Sequence, residues 1–269
     1  MEDFRMSSYS ALASVDRTFK VIEVLIGEVN GLSVTEIVHK TGLDKSAVSR
    51  ILITLKDAGY VEVDDRTRLN RLSFKFLSLT YKHIREMGIE DIFYPFLEKL
   101  SERTGELIQL AVVTENGLFF IAKVEGKNTL KVASMLGEHA AYHATAVGKM
   151  ALANLPNSKV IRVLGGEQLP KYTENTITDI ETLFEELEKI RREDYAIANE
   201  EINKDIIAVG LPIYSNDEPR RLLAAIAIAA PNFKMDRDRI NEIVSIFHEE
   251  LENFDVSLLK TFSLGISSD

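Results

Sequence analysis

Lys45, Ser46, Ser49 and Arg50 lie in the stretch TGLDKSAVSRIL (41–52), at a spacing that gathers them on one side of a short helix. These side chains have a definite chemistry. A lysine ammonium neutralises phosphate, an arginine fork pairs with phosphate or with the O6/N7 edge of guanine, and serine hydroxyls bond to either. A helix N-terminus adds backbone N–H groups suited to an anion. Ser33 opens the preceding helix, and Arg66, Arg68 and Arg71 follow in the stretch DDRTRLNR. Ser33, Lys45, Ser46, Ser49, Arg50, Arg66, Arg68 and Arg71 are therefore the candidate DNA-contacting residues. The competing reading is a three-helix bundle with a solvated charged face. Such a face mixes Glu with Lys, whereas the two turns after Asp44 offer only Lys, Ser and Arg among polar types.

Positioning these residues requires a small set of elements. In SVDRTFKVIEVLIGEVNG, Val15, Phe19, Ile22, Leu25, Ile26 and Val29 recur at spacings of three to four, which predicts a helix capped by Ser14 and ended by Asn30-Gly31. SVTE (33–36) has the capping-box form and predicts a second helix to about Lys40. Gly42 supplies the turn. A third helix spans about Asp44 to Ala58, with Val48, Ile51, Leu52, Leu55 and Ala58 inward, and Ile53 misplaced on the polar face. YVEV and LNRLSF, joined by DDRTR, read as a hairpin. Helix, helix, turn, helix, hairpin is the order of a winged helix-turn-helix. SFKFLSLTYKHIREMG (73–88) is helical with apolar residues on two stripes, Phe74, Leu77, Tyr81 and Ile84 on one and Phe76 and Leu79 on the other. It reads as a connector between domains that also meets a second subunit.

The 269 residues, 45% of them hydrophobic, suffice for two domains. The absence of cysteine excludes a disulfide framework, a thiol nucleophile and a thiolate metal site, and fits a reducing compartment. The N-terminal MEDFRMSSYS has no apolar core and no run reaches 18 apolar residues, so a cytoplasmic protein with no membrane partner is expected. The formal net charge is −10, yet residues 1–80 hold 11 basic and 11 acidic residues. The deficit lies after residue 80, and the span 45–75 carries seven basic against four acidic residues. A near-neutral head with a basic patch precedes an acidic body.

From residue 89 the pattern changes. A helix (89–104) leads to strand-like LIQLAVVT, LFFIAKVEG and LKVASML; helices follow from Thr145 to before Pro156 and over 179–193. IIAVGLPIY and LLAAIAIAA are further strands, and a helix from Asp236 to Phe254 closes the body. The fold class is α+β, an antiparallel sheet with flanking helices. His139 and His143 stand four apart, but no HExxH pattern accompanies them and no metal site is assigned. AVGKM lacks the outer residues of a phosphate loop, with His143 and Met150 where Gly and Ser/Thr belong. No G-x-S-x-G occurs and no carboxylates pair recognisably, so no catalytic residue and no cofactor are assigned.

Taken in order, SVDRTFKVIEVL, GLSVTEIVHKTGLDKSAVSRILITLKDAGYVEVD, LEKLSERTGELIQLAVV, KVEG, HATAVGKMALA, LPKYTENTITD, YAIANEEINKDIIAVGLPIY and AAIAIAAP resemble the IclR family of transcription regulators over roughly residues 12–256. The resemblance implies a winged helix-turn-helix (10–72), a linker helix (73–88) and a GAF-like effector-binding domain (89–258). It also implies dimers or dimers of dimers on double-stranded, near-palindromic operators, and a small-molecule effector. The effector-binding candidates are Met135, Leu136, Ala144, Thr145, Ala146, Val147, Ala198, Ala208, Ala227 and Ala229. Family members that sense small carboxylates carry polar residues at the positions of Ala144, Ala198, Ala208, Ala227 and Ala229; alanine at all five implies a larger, largely apolar guest. Backbone N–H groups near Ala146 and Val147, with the Thr145 hydroxyl, are the donors this reading leaves. The alternatives are a ligand-independent architectural DNA-binding protein and an enzyme built on the sheet domain.

Overall fold

The computed structural model describes residues 12–114, 117–127 and 140–257. The chain divides into two compact units between Met87 and Gly88.

In the first unit, α1 (Ala13–Leu25), α2 (Val34–Thr41) and α3 (Lys45–Asp57) precede a hairpin of β1 (Val61–Val63) and β2 (Asn70–Leu72), and α4 (Phe74–Met87) ends it. Val21, Leu25, Leu32, Ile37, Val48, Leu52, Leu55 and Val61 make its core. The first helix is shorter than its periodicity suggested. Ile26 leaves the helix with extended geometry and Gly27 adopts φ +87°, so Ile26 and Val29 are exposed. Nor does Ser14 cap it: the N-cap is Leu12, which makes no side-chain cap bond. The α2 capping box is present, Ser33 Oγ accepting from the Glu36 N–H and Glu36 Oε2 accepting from the Ser33 N–H at 2.8 Å.

The second unit holds α5 (Ile89–Thr104), β3 (Leu107–Thr114), β4 (Gly117–Val124), α6 (Ala146–Ala153), α7 (Asn157–Leu164), α8 (Ile180–Glu193), β5 (Ala196–Asn199), β6 (Ile206–Tyr214), β7 (Leu222–Pro231) and α9 (Arg237–Glu252). Its five strands are antiparallel in the order β4-β3-β7-β6-β5. LKVASML falls in 130–136, outside the described residues. Two elements escaped the sequence reading. Helix α7 is only eight residues long, with Val160 buried and Ile161 and Leu164 packed beside it, and β5 is only four residues long.

Alternation along the strands gives the sheet two different faces. One presents Ala111 and Ala225, Ala227 and Ala196 to Val147 and Met150 of α6 and Leu183, Leu187 and Ile190 of α8. Ile108, Leu110, Val209, Leu211, Ile226 and Ile228, all fully buried, occupy the opposite set of positions. Helices α5 and α9 pack against each other through Phe96 and Phe247, and Arg103 reaches Glu249 at 2.6 Å and Glu250 at 2.8 Å. No helix among the described residues is long and apolar enough to cross a membrane.

Candidate nucleic-acid interface and effector site

Helix α3 begins at an Asp44 cap whose carboxylate accepts from the Ala47 N–H at 2.8 Å and the Ser46 hydroxyl at 2.6 Å. The Ser46 bond, followed by the Ala47 bond, holds the Asp44 carboxyl below the usual carboxylate range. Ala47, Val48, Leu52 and Leu55 are buried, which turns Lys45, Ser46 and Arg50 outward and leaves Ser49 half-buried. The wing tip is organised by Asp64, whose Oδ1 accepts from the Arg66 N–H at 3.0 Å and from the Thr67 N–H and hydroxyl at 2.7 and 2.8 Å. Arg68 takes a left-handed conformation, φ 61°, and its N–H returns to Asp64 O. Lys45, Arg50, Arg66 and Arg68 are exposed and, among the described residues, not ion-paired. Arg71 differs: its Nε lies 2.7 Å from Glu62 Oε1 on the facing strand. Ser33 is likewise engaged within its capping box.

In the second unit the alanines come together through strand register. Ala198, Ala208 and Ala229 are direct partners across β5, β6 and β7, and Ala227 lies in the next row opposite Gly210 and Gln109. Directly paired residues share a face, so these rows form one small-residue floor. Ala208 is its partly exposed member; Ala198, Ala227 and Ala229 are buried.

The N-terminus of α6 lies on this floor. A Cβ added at Gly210 would come within 2.5 Å of Ala146 O and 3.0 Å of Val147 N, so only glycine permits so close an approach. Thr145 caps α6: its Oγ1 accepts from the Gly148 N–H at 3.1 Å and donates to Ala141 O at 2.8 Å. The Thr145 hydroxyl proton is thereby committed to the protein. The N–H groups of Ala146 and Val147 have no acceptor among the described residues, as the first turn of a helix dictates. Ala144 is fully buried in the turn before α6. Met135 and Leu136 lie outside the described residues.

His143 is not placed as a ligand. Its Nε2 is 2.8 Å from Pro170 O and its ring stacks on Tyr172; burial, seconded by the charge of Lys149, lowers its pKa against the Pro170 bond. No cluster of His, Asp and Glu suited to a metal occurs among the described residues.

The sequence reading missed two polar features. Lys149 on α6 is 1% exposed, with Nζ 2.7 Å from Glu201 Oε1 and 3.3 Å from Glu186 Oε1. Burial raises the Glu201 carboxyl against the opposing pull of Lys149, and Glu201 Oε2 is buried without a partner. A lysine inside AVGKMALA was the available signal, since an otherwise apolar helix buries such a residue only with a partner. Gln109 on β3 is 4% exposed, and its Nε2 has no hydrogen-bond partner. A shallow hollow of about 220 Å³ at the β6–β7 turn, lined by Ser215, Asp217 and Arg221, is separate from the alanine floor.

Two family models match in tandem: the IclR helix-turn-helix domain over residues 14–65, and the bacterial transcriptional regulator IclR C-terminal domain over 81–255. The chain is 27% identical to the HTH-type transcriptional regulator KdgR of Escherichia coli K12 over 88% of its length and 89% of that protein. It superposes on Thermotoga maritima IclR with a TM-score of 0.68 at 28% identity, covering 91% of this chain and 98% of that one. An IclR homologue from Microbacterium hydrocarbonoxydans, solved with 4-hydroxybenzoate, shares the fold with a TM-score of 0.72 at 20% identity, over 89% of this chain and 99% of the other. The relatives are transcription regulators, not enzymes. The helix-turn-helix of the first unit and the antiparallel sheet of the second thus fall within the ranges the two models match, and the chain belongs to the IclR family of transcription regulators.

Proposed function

We propose that this regulator binds a near-palindromic DNA operator as a dimer or dimer of dimers, with α3 in the major groove. Arg50 and Ser49 meet base edges, Lys45 holds phosphate, and Arg66 and Arg68 on the wing take the neighbouring backbone. The observation that carries this reading is the row of exposed, unpaired cations on α3 and the wing tip of a chain whose net charge is −10. Ser33, Ser46 and Arg71 contribute at the periphery, their polar atoms being already engaged with Glu36, Asp44 and Glu62. Two half-sites about 34 Å apart require two heads. Self-association is also favoured by the exposed Phe74, Leu77, Leu79 and Tyr81 on α4, where Phe74 is 79% accessible.

The effector site of this reading is the alanine floor beneath the α6 N-terminus, with Ala144 and Thr145 shaping its entry. Its guest is a largely apolar or aromatic molecule with an anionic end at the Ala146 and Val147 N–H groups. An aromatic acid such as the 4-hydroxybenzoate held by the Microbacterium homologue is of that kind. The guest regulates by binding one interdomain arrangement better than another, which requires a coupling of about 1–3 kcal/mol.

The test is selection of bound duplexes from a random DNA pool by the full chain. Enrichment of a two-half-site sequence, with affinity falling at a log–log salt slope of about −0.9 per phosphate contacted, is the expected result. Enrichment of nothing above the starting pool at low salt would overturn it.

A further inference from the structure

Gln109 is the polar residue that the alanine floor was not expected to contain. It pairs directly with Ala227 of β7, and Ala227 pairs in turn with Gly210 of β6, the residue on which the first peptide of α6 rests. Gln109 therefore shares the face that carries Ala198, Ala208, Ala227 and Ala229. Along its own strand Leu107 and Ala111 flank it on that face, and across β4 its direct partner is Lys123, a donor whose Nζ is paired with Glu125; none of the three offers a side-chain acceptor. Its amide nitrogen is buried with no hydrogen-bond partner. An unsatisfied buried donor costs more than the same volume of hydrocarbon, so the fold alone gives no reason for an amide here.

Two donor groups thus face the same floor from its two sides. The Ala146–Val147 peptide, at the N-terminus that carries the free N–H groups, stands over Gly210, and Gln109 lies two strands away, roughly 10 Å at ordinary strand spacing. The glutamine side chain spans part of that distance, which leaves the length of about one six-membered ring between the helix N–H groups and the amide. The floor between them is Ala227, with Ala229 next to it on the same face of β7, and has no side-chain donor or acceptor of its own.

We propose that the Gln109 amide is the specificity-determining donor of the effector site, reading an acceptor oxygen at the end of the guest remote from the α6 N-terminus. The ligand class is then a ring-sized monoacid carrying a second oxygen opposite its carboxylate. This assignment rests on the alanine floor being the effector site, and it makes Gln109 a residue kept at a cost to stability for the sake of discrimination.

The experiment uses the full chain, wild type and with Gln109→Leu or Gln109→Met, two apolar replacements of similar size. Thermal melting is followed alone and with 4-hydroxybenzoate, 4-acetylbenzoate, 4-methylbenzoate, benzoate and pyruvate, and Kd is measured by calorimetry for every compound that shifts the melt. Without ligand, both variants are expected to melt no lower than wild type. Wild type is expected to prefer the two oxygen-bearing acids over 4-methylbenzoate by about tenfold or more, the value of one buried hydrogen bond to a well-placed acceptor. Both variants should lose that preference while binding 4-methylbenzoate and benzoate unchanged within about twofold. If wild type responds to none of the compounds, the alanine floor is not an effector site of this class and the assignment falls with it. If wild type binds them and the variants keep the preference, or lose all compounds equally, the floor stands as a site and the role given to Gln109 is overturned. A marked fall in the ligand-free melt of both variants would also overturn it, because it would make the amide structural.

Discussion

The two units place their polar groups in opposite ways. On α3 and the wing tip, Lys45, Arg50, Arg66 and Arg68 stand in solvent, and the acids that shape those segments, Asp44 and Asp64, are held down in pKa by hydrogen bonds from Ser46 and Thr67. In the sheet unit Lys149, Glu201 and Gln109 are buried, and Glu201 is pushed up by burial. An interface for a polyanion needs charge that water can reach until the moment of contact, since long-range attraction and counterion release both act through solvent. A site for a small guest needs few polar groups in a dry setting, where each hydrogen bond discriminates strongly. The same residue types therefore mean different things in the two halves.

The largest effect expected from breaking this contrast is at Lys149. Lys149→Ala leaves Glu201 buried and unpaired, and should cost about 3–5 kcal/mol in chemical denaturation of the sheet unit. Lys149→Met combined with Glu201→Leu should recover most of that loss. If the double variant is as unstable as the single one, the pair is not the source of the cost.

Gly210→Ala comes next. Its methyl group meets backbone atoms of Ala146 and Val147, so α6 must lift from the floor, at about 1–3 kcal/mol by the usual cost of overpacking. The same variant should weaken any ligand-induced melting shift, while DNA affinity in the absence of ligand is retained. Unchanged melting would mean that α6 does not rest on β6 as described.

On the DNA side, Arg50→Ala should reduce discrimination between the selected site and a site altered under α3 by about 1–3 kcal/mol. Arg68→Ala should instead weaken all sequences alike and lower the salt slope by about 0.9. Titrations of both variants at several salt concentrations separate these outcomes, and identical behaviour of the two would erase the division between base and phosphate contacts.

The smallest effect concerns pH. A carboxyl whose pKa is lowered in the folded state contributes stability that is present above its ordinary value and lost as pH falls through the lowered one. Asp44→Asn should therefore flatten the decline in head stability under acid. Glu201 has the opposite sign: its raised value means that stability falls as pH rises from the ordinary carboxylate range through the raised value. Glu201→Gln should remove that fall. Melting curves across acid pH give both, and parallel pH profiles for wild type and both variants would show that neither group is linked to folding.

What could be read in the sequence tracks how local the determining interaction is. The capping box at Ser33, the helix from Lys45 to Asp57, the hairpin turn at Asp64 and the apolar runs of β3, β6 and β7 depend on residues a few positions apart, and periodicity and turn chemistry located them. Helix α1 was overextended because Ile26 and Val29 continue its apolar spacing, and only the tertiary core shows that nothing waits to receive them. The resemblance to a family, built from many weak segments in order, supplied the alanines as a set. Side-chain partners across large sequence separations were beyond it. That Glu201 and Glu186 meet Lys149, that Glu62 occupies Arg71, and that Gln109 lies beside Ala227 follow from register and packing. One sequence determines which groups need a partner, through their charge and hydrogen-bonding capacity; only the folded chain decides which receive one, because burial removes water as the universal substitute.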